Sequence, residues 1–376
     1  MAGVNHRLMP VFKRKVFYLG GFDPRGARYY HGVLAQQVAA HNAAGGQPEG
    51  VLTLSGRRRA GPNAGPNAGP NAGWTLDDAA GRLHGDHEFL VWDDLVRRAW
   101  VRSAAGVLAR GALAYAHMLR GMDWRLARRC PWGSWQAALA PGLVFVVPLL
   151  VLVLIGLGWW VAAGLVALGC VLVLRRLPSL WLLRFVIFND ALARRRHDGA
   201  LEARLDDFAT RIRDALAQDW DEVLLVTHSN GSILAVPLMD RLGAVPGHFA
   251  LVTLGSCIPF VALRRDAGWF GAMLDRMGGF AWLDIGSPTD GACAPLVPPC
   301  LGRAVERPVG LVQVSPRWFR YCDPATYDAR RRDKYQTHFD YLRRMDRASP
   351  LDYLGLAAAA RPLAQSIAAF EAEQHG

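Results

Sequence analysis

Residues 221–242 read DEVLLVTHSNGSILAVPLMDRL, and the middle of this stretch is where chemistry is expected. An apolar strand over 222–226 runs into Thr227-His228-Ser229-Asn230-Gly231, and a helix over 230–242 follows at once. A strand that turns abruptly into a helix lifts the residue at the bend above the sheet. A serine hydroxyl placed there stands free, provided that the residues two before and two after it are small. The first N–H groups of the helix then face any negative charge that develops. A neutral hydroxyl attacks a carbonyl too slowly to be useful, so Ser229 needs an imidazole to take its proton and later return it to the leaving group. His228 is adjacent, but neighbouring side chains in such a bend point apart, so His228 reads as structural.

This pattern resembles the nucleophile elbow, G-x-S-x-G, of the α/β-hydrolase superfamily of lipase- and esterase-like serine hydrolases, with Gly231 in the last position. Thr227 stands where the strict motif has glycine, and its methyl and hydroxyl are expected to crowd the turn. The resemblance implies the chain order serine, then Asp or Glu, then histidine. His338 and His375 lie far enough downstream; His375 is the penultimate residue and is expected to fray, which leaves His338, in Tyr335-Gln336-Thr337-His338-Phe339-Asp340-Tyr341. For the acid, FAWLDIGSPTDG at 280–291 offers Asp284 within an expected strand and Asp290 in the Pro/Gly turn beyond it. The family places the residue that orients its histidine in such a turn, so Asp290 is favoured and Asp284 is the alternative. The resemblance also implies an oxyanion hole of two backbone N–H groups. One belongs to Asn230; the other belongs to Phe22, in the glycine turn Leu19-Gly20-Gly21-Phe22-Asp23-Pro24-Arg25-Gly26, where Gly20 and Gly21 let the backbone approach the substrate. Asp23 and Arg25 either pair to shape that loop or leave Arg25 for an anionic head group. The resemblance covers about 1–55 and 199–345.

These groups must be held by an α/β fold: a mostly parallel sheet flanked by helices, as alternating strands and helices require. Strands are expected at 16–22, 51–54, 87–93, 222–226, 250–254 and 280–285, and helices at 27–43, 94–121, 199–219 and 230–242. The helix over 199–219 is the best patterned, with Leu201, Leu205, Phe208, Ile212 and Leu216 at three- and four-residue steps. Three tandem GPNA copies make 61–73 a flexible surface loop, because Gly and Pro at that density do not pack. The first part of the hydrolase domain is expected over 1–121 and the second over 191–376, with an insertion at 122–190 between them.

That insertion is expected to be a transmembrane helical hairpin. No Asp, Glu, Lys or Arg occurs from 131 to 174, and 137–174 is almost wholly apolar. As one helix 137–174 would run to roughly 57 Å, nearly twice a hydrocarbon core of roughly 30 Å. Two spans, about 137–156 and 159–174, fit better, broken at Gly156-Leu157-Gly158 before Trp159-Trp160. Arg125, Arg128 and Arg129 precede them and Arg175, Arg176 and Arg184 follow, so the positive-inside rule puts both flanks in the cytoplasm. The segment 180–188 is expected along the bilayer surface, over a lipid-access groove, or in the core.

The formal charge is +11, carried by Arg, with Lys only at positions 13, 15 and 334. The Arg residues are spread out and no nucleic-acid-binding signature accompanies them, so no nucleic-acid partner is expected. Six cysteines at 130, 170, 257, 293, 300 and 322 form no CxxC pair, which argues for free thiols rather than a metal or disulfide framework. The N-terminal stretch shows no secretory signal. No Walker, Rossmann or metal-binding pattern appears, so no cofactor and no metal is expected. The expectation is therefore a hydrolase of carboxylic esters, of acyl lipids by location, anchored in a bacterial inner membrane with its catalytic domain in the cytoplasm. Acyl transfer by the same triad, or a catalytically silent lipid- or protein-binding relative, are the alternatives. Oligomeric state, acyl chain length and head group are left open.

Overall fold

The computed structural model describes residues 10–59, 72–131, 150–176 apart from 152, 154 and 157, 179–195, and 199–375. Its centre is a sheet of β1 (Phe12–Leu19), β2 (Leu52–Leu54), β3 (Arg58–Arg59), β4 (Ala72–Asp78), β5 (Leu83–Phe89), β6 (Glu222–His228), β7 (Phe249–Leu254), β8 (Ala281–Ile285) and β9 (Leu311–Val314). The order is β2-β4-β5-β1-β6-β7-β8-β9, with β3 pairing β4. From β5 to β9 every pairing is parallel, whereas β2, β3 and β4 run antiparallel to their neighbours. The fold is thus α/β, with a mostly parallel sheet between helices.

Strands buried on both faces need apolar residues throughout. β6 is buried along its whole length. In β1, Phe17 and Leu19 enter the core on one face while Val16 and Tyr18 enter the core on the other, the two-residue alternation of a pleated strand. β1 precedes the insertion and pairs along its length with β6, which follows it, so the two parts of the chain build one sheet. On the Phe17 face lie α2 (Ala104–Gly121), α4 (Ser179–Ala193), α5 (Gly199–Leu216) and α6 (Asn230–Leu242). On the Val16 face lie α1 (Gly26–Ala43) and α7 (Tyr353–Ala358).

Several expectations change. β3, β4 and β9 were not foreseen: β3 is two residues long, β4 alternates Trp74 and Leu76 with Thr75 and Asp77, and β9 is only half buried. The strand expected at 87–93 lies at Leu83–Phe89, and the helix expected over 94–121 is broken into Asp93–Ala99 and α2, with Ser103 capping α2 at Gly106 N–H. Most of the GPNA loop, 61–73, falls outside the described residues; its last two, Ala72 and Gly73, begin β4.

The transmembrane hairpin is corrected likewise. Among the described residues no helix is long and apolar enough to cross a membrane. The first expected span, 137–156, lies mostly outside the described residues. The second corresponds to α3 (Trp159–Arg176), which closes on two arginines. As a helix, 159–174 would rise only about 24 Å, short of a hydrocarbon core of about 30 Å. The segment 180–188 takes the last of its expected places: Leu183, Phe185 and Val186 of α4 are buried in the core. Gly111 of α2 permits this packing, since a Cβ there would already stand 3.3 Å from Leu183 Cδ2.

Candidate active site

β6 ends at His228 and α6 begins at Asn230, and the residue between them carries the turn. Ser229 has φ 56° and ψ −124°, a conformation that L-residues rarely adopt. Such a conformation costs on the order of 1–3 kcal/mol and persists only where the surroundings impose it. Here Ser229 N–H donates to Leu254 O at 2.9 Å, while the N–H and hydroxyl of Ser232 donate to Ser229 O at 2.9 and 2.6 Å.

Two glycines make room for the turn. A Cβ on Gly231 would fall 2.2 Å from Leu19 O, so α6 could not sit so close to the end of β1. A Cβ on Gly21 would fall 2.7 Å from Ser229 Cβ and 3.1 Å from its Oγ. Gly20, by contrast, would meet only ordinary contacts, the nearest at 3.6 Å, so of the two adjacent glycines Gly21 is the sterically required one. The crowding expected of Thr227 does not arise: its hydroxyl turns sideways and donates to Val252 O of β7 at 3.2 Å.

His338 follows a short helix, Lys334–Thr337, and Asp290 sits in the loop after β8. Their side chains are wholly buried, with His338 Nδ1 2.9 Å from Asp290 Oδ2 and 3.1 Å from Oδ1. A carboxylate can only accept, so the imidazole carries its proton on Nδ1 and Nε2 is left as a base. Nε2 is buried and has no hydrogen-bond partner. Burial alone would raise the Asp290 carboxyl, but the His338 imidazole, Ala292 N–H and the Cys293 thiol outweigh it and hold the group below its ordinary range. Asp284, the alternative acid, is turned elsewhere: it accepts from Thr253 Oγ1 at 2.5 Å and from Gln313 Nε2 at 2.8 Å, inside the sheet.

Sequence reasoning missed one support, Tyr341, and did not say what His228 holds. Tyr341 donates its hydroxyl to Asp290 Oδ2 at 3.1 Å and accepts from Ser287 N–H at 2.9 Å, tying the acid loop to the histidine loop. Its place three residues after His338 was the available signal. His228 is structural as expected, and what it holds is the backbone of the histidine loop. Its ring lies 4.8 Å from that of His338, and its Nε2 is 2.7 Å from His338 O. Burial, then the neighbouring His338, depress the His228 pKa to about 3, so the ring is neutral and Nε2–H is the donor.

The residues expected to form the oxyanion hole flank the same point. Asn230 is the first residue of α6, where a helix leaves N–H groups without intrahelical acceptors. Gly21 abuts Ser229, and Phe22 follows it in the chain. The Phe22 ring stacks on Phe188 at 4.7 Å and on Trp100 at 5.5 Å, and its carbonyl accepts from Trp181 Nε1 at 3.3 Å. The Asp23–Arg25 question resolves to pairing: Arg25 Nε lies 2.9 and 2.8 Å from the two carboxylate oxygens, and Tyr30 donates to the same group.

The site is closed. Ser229 is 2 % exposed, and its Oγ lies 3.9 Å from Cys257 Sγ rather than on His338 Nε2. Trp181 of α4 stands 5.6 Å from the His338 ring. Hydrogen bonds of this kind often tighten only when a substrate is bound. Among the described residues no group of metal-ligating side chains occurs. No family model, no curated protein and no solved structure matches the chain.

Proposed function

We propose that this chain is a serine hydrolase of the α/β-hydrolase type that cleaves carboxylic esters, of acyl lipids in particular. The observation that carries the reading is the left-handed Ser229 at the end of β6 beside a buried His338–Asp290 pair whose Nε2 is free to accept a proton. The three residues follow β6, β8 and β9 of one parallel sheet, at the carboxyl ends where α/β folds place their sites. In the proposed reaction His338 Nε2 takes the Ser229 proton as Oγ bonds to the acyl carbon, and the Asn230 and Phe22 N–H groups hold the oxyanion. Collapse breaks the ester C–O bond, and His338 returns the proton to the leaving alcohol. Water then repeats the sequence on the acyl-serine, releasing the acid and restoring Ser229.

Attachment to a lipid surface through 131–174 belongs to the same proposal. Its support is that α3 presents Val161, Leu165 and Leu168, at helical spacing, to solvent together with Trp159 and Trp160, the latter 84 % exposed. A bilayer there would concentrate acyl lipids where the enzyme sits.

The direct test is labelling with a fluorophosphonate, which phosphonylates a serine only when a base activates it. Detergent-purified wild type is expected to label and Ser229→Ala is not; equal labelling of both would remove the assignment. His228 offers a subtler check. His228→Ala removes the donor that fixes the His338 carbonyl and is expected to lower kcat by about tenfold with KM little changed, as loss of one positioning hydrogen bond implies. His228→Gln, which keeps a donor, should recover part of it. A loss of KM alone in ester kinetics would contradict the positioning role.

A further inference from the structure

The first turn of α6 holds a polar side chain that the fold leaves unused. Around it, Thr227 donates to Val252 O and His228 to His338 O, while Ser232 donates to Ser229 O and accepts from Cys257 N–H at 2.9 Å. Ser229 Oγ lies against Cys257 Sγ. Asn230 is different. It is wholly buried, and among the described residues neither its amide oxygen nor its amide nitrogen has a hydrogen-bond partner. A buried amide with both functions unpaired is rare, because each forfeits its hydration without return. A leucine has nearly the same shape and would fill the space without that loss, so packing does not explain an asparagine here.

Its place in the fold says what it can reach. Asn230 is the first residue of α6 and directly follows Ser229. Side chains on a helix lean toward its N-terminus, the direction in which the free N–H groups of the first turn also point. The amide and the Asn230 N–H therefore serve the same end of the helix. The loop of the other expected donor closes against this end on both sides of Asn230: a Cβ on Gly21 would fall 2.7 Å from Ser229 Cβ, and one on Gly231 3.0 Å from Gly20 O. An ester carbonyl bound at Ser229 brings lone pairs and no proton to this place, and so supplies the acceptor that the amide N–H lacks.

We infer that Asn230 is a third oxyanion donor: its side-chain N–H bonds to the carbonyl oxygen of the ester as Ser229 Oγ attacks, beside the N–H of its own backbone. The inference rests on the hydrolase reading above. An asparagine amide turned end for end still carries a donor, so one is available in either orientation. The bond strengthens as charge builds on the oxygen, and it does so away from water, where a fixed donor is worth most.

The test uses the full chain in detergent with p-nitrophenyl butyrate. Asn230→Leu keeps the backbone N–H and the volume and removes only the amide. Its kcat is expected to fall about a hundredfold with KM little changed, because the donor acts on a charge present only in the transition state. Affinity for phenylboronic acid, whose tetrahedral adduct on Ser229 mimics that charge, should fall by a similar factor. The melting temperature should equal or exceed that of wild type, because an unsatisfied buried group has gone. A folded variant with kcat and boronic acid affinity near wild type overturns the inference. So does a fall in melting temperature, which would mark the amide as structural. If Asn230→Leu does not fold, Asn230→Ala is read by kcat and boronic acid affinity in the same way. A wild type inert toward the ester, or hydrolysis that survives Ser229→Ala, brings down the hydrolase reading and this donor with it. Ser229-dependent hydrolysis that the Asn230 variants leave intact brings down the donor alone.

Discussion

Ser229→Ala and His338→Ala are each expected to lower kcat for an activated ester by about 10⁶, and the double variant by no more than either alone, because nucleophile and base act as one unit. Without the imidazole, Ser229 remains a neutral hydroxyl; without the hydroxyl, His338 Nε2 has no proton to take. What survives in every case is the contribution of the oxyanion donors, which depends on the turn between β6 and α6 and not on either side chain. The check is kcat for the two single variants and the double, measured beside near-ultraviolet circular dichroism to show that the core is intact. Multiplying losses would mean that the two residues act independently, and a fully active Ser229→Ala would end the proposal.

How much of this is legible in the sequence depends on range. The elbow is readable because its signal is local: a buried strand, a bend and a helix in one short run, with β6 and α6 matching expectation to within a residue or two. The proposed partners of Ser229 come from loops after β8 and β9, and the choice of Asp290 over Asp284 turns on the loop after β8 reaching His338 while Asp284 stays within the strand. The chain order implied by the family resemblance points to the right histidine for the pairing, since His338 does meet Asp290. What the sequence does not disclose is contact at long separation. Nothing local says that Tyr341 ties two loops together, that His228 holds a carbonyl 110 positions away, or that α4 returns from the insertion to lay Trp181 on His338. β4 and β9 escape for a related reason: β4, with its glycine and two aspartates, and the half-exposed edge strand β9 both lack the continuous apolar run that marks β6.

The apolar insertion and the closed site meet in α4. This helix lies largely within the 122–190 segment, and its first turn carries Trp181, whose indole donates to Phe22 O and whose ring lies 5.6 Å from that of His338.

Asp290→Asn is expected to lower kcat by about 10⁴ with the fold preserved, as when a triad carboxylate becomes an amide. The geometry says why. Ala292 N–H donates to Asp290 Oδ1 at 2.8 Å, so in the variant the amide oxygen stays there and the amide nitrogen faces His338 Nδ1 and Tyr341. That nitrogen donates to Nδ1, drives the imidazole proton to Nε2, and leaves no base toward Ser229. Asp284→Asn should leave kcat near the wild-type value, because Asp284 bonds to Thr253 and Gln313 and not to the histidine. Its effect should appear in stability instead. Burial raises the Asp284 carboxyl to about 6, so the folded state holds a proton that the unfolded chain has already released between about pH 4 and pH 6. Wild-type stability from this group is full below that window and lost as pH rises through it. The melting temperature of Asp284→Asn relative to wild type should therefore climb from pH 4 to pH 7 in parallel scans. A kcat loss at Asp284 larger than at Asp290 would exchange their roles and move the histidine's partner into the sheet.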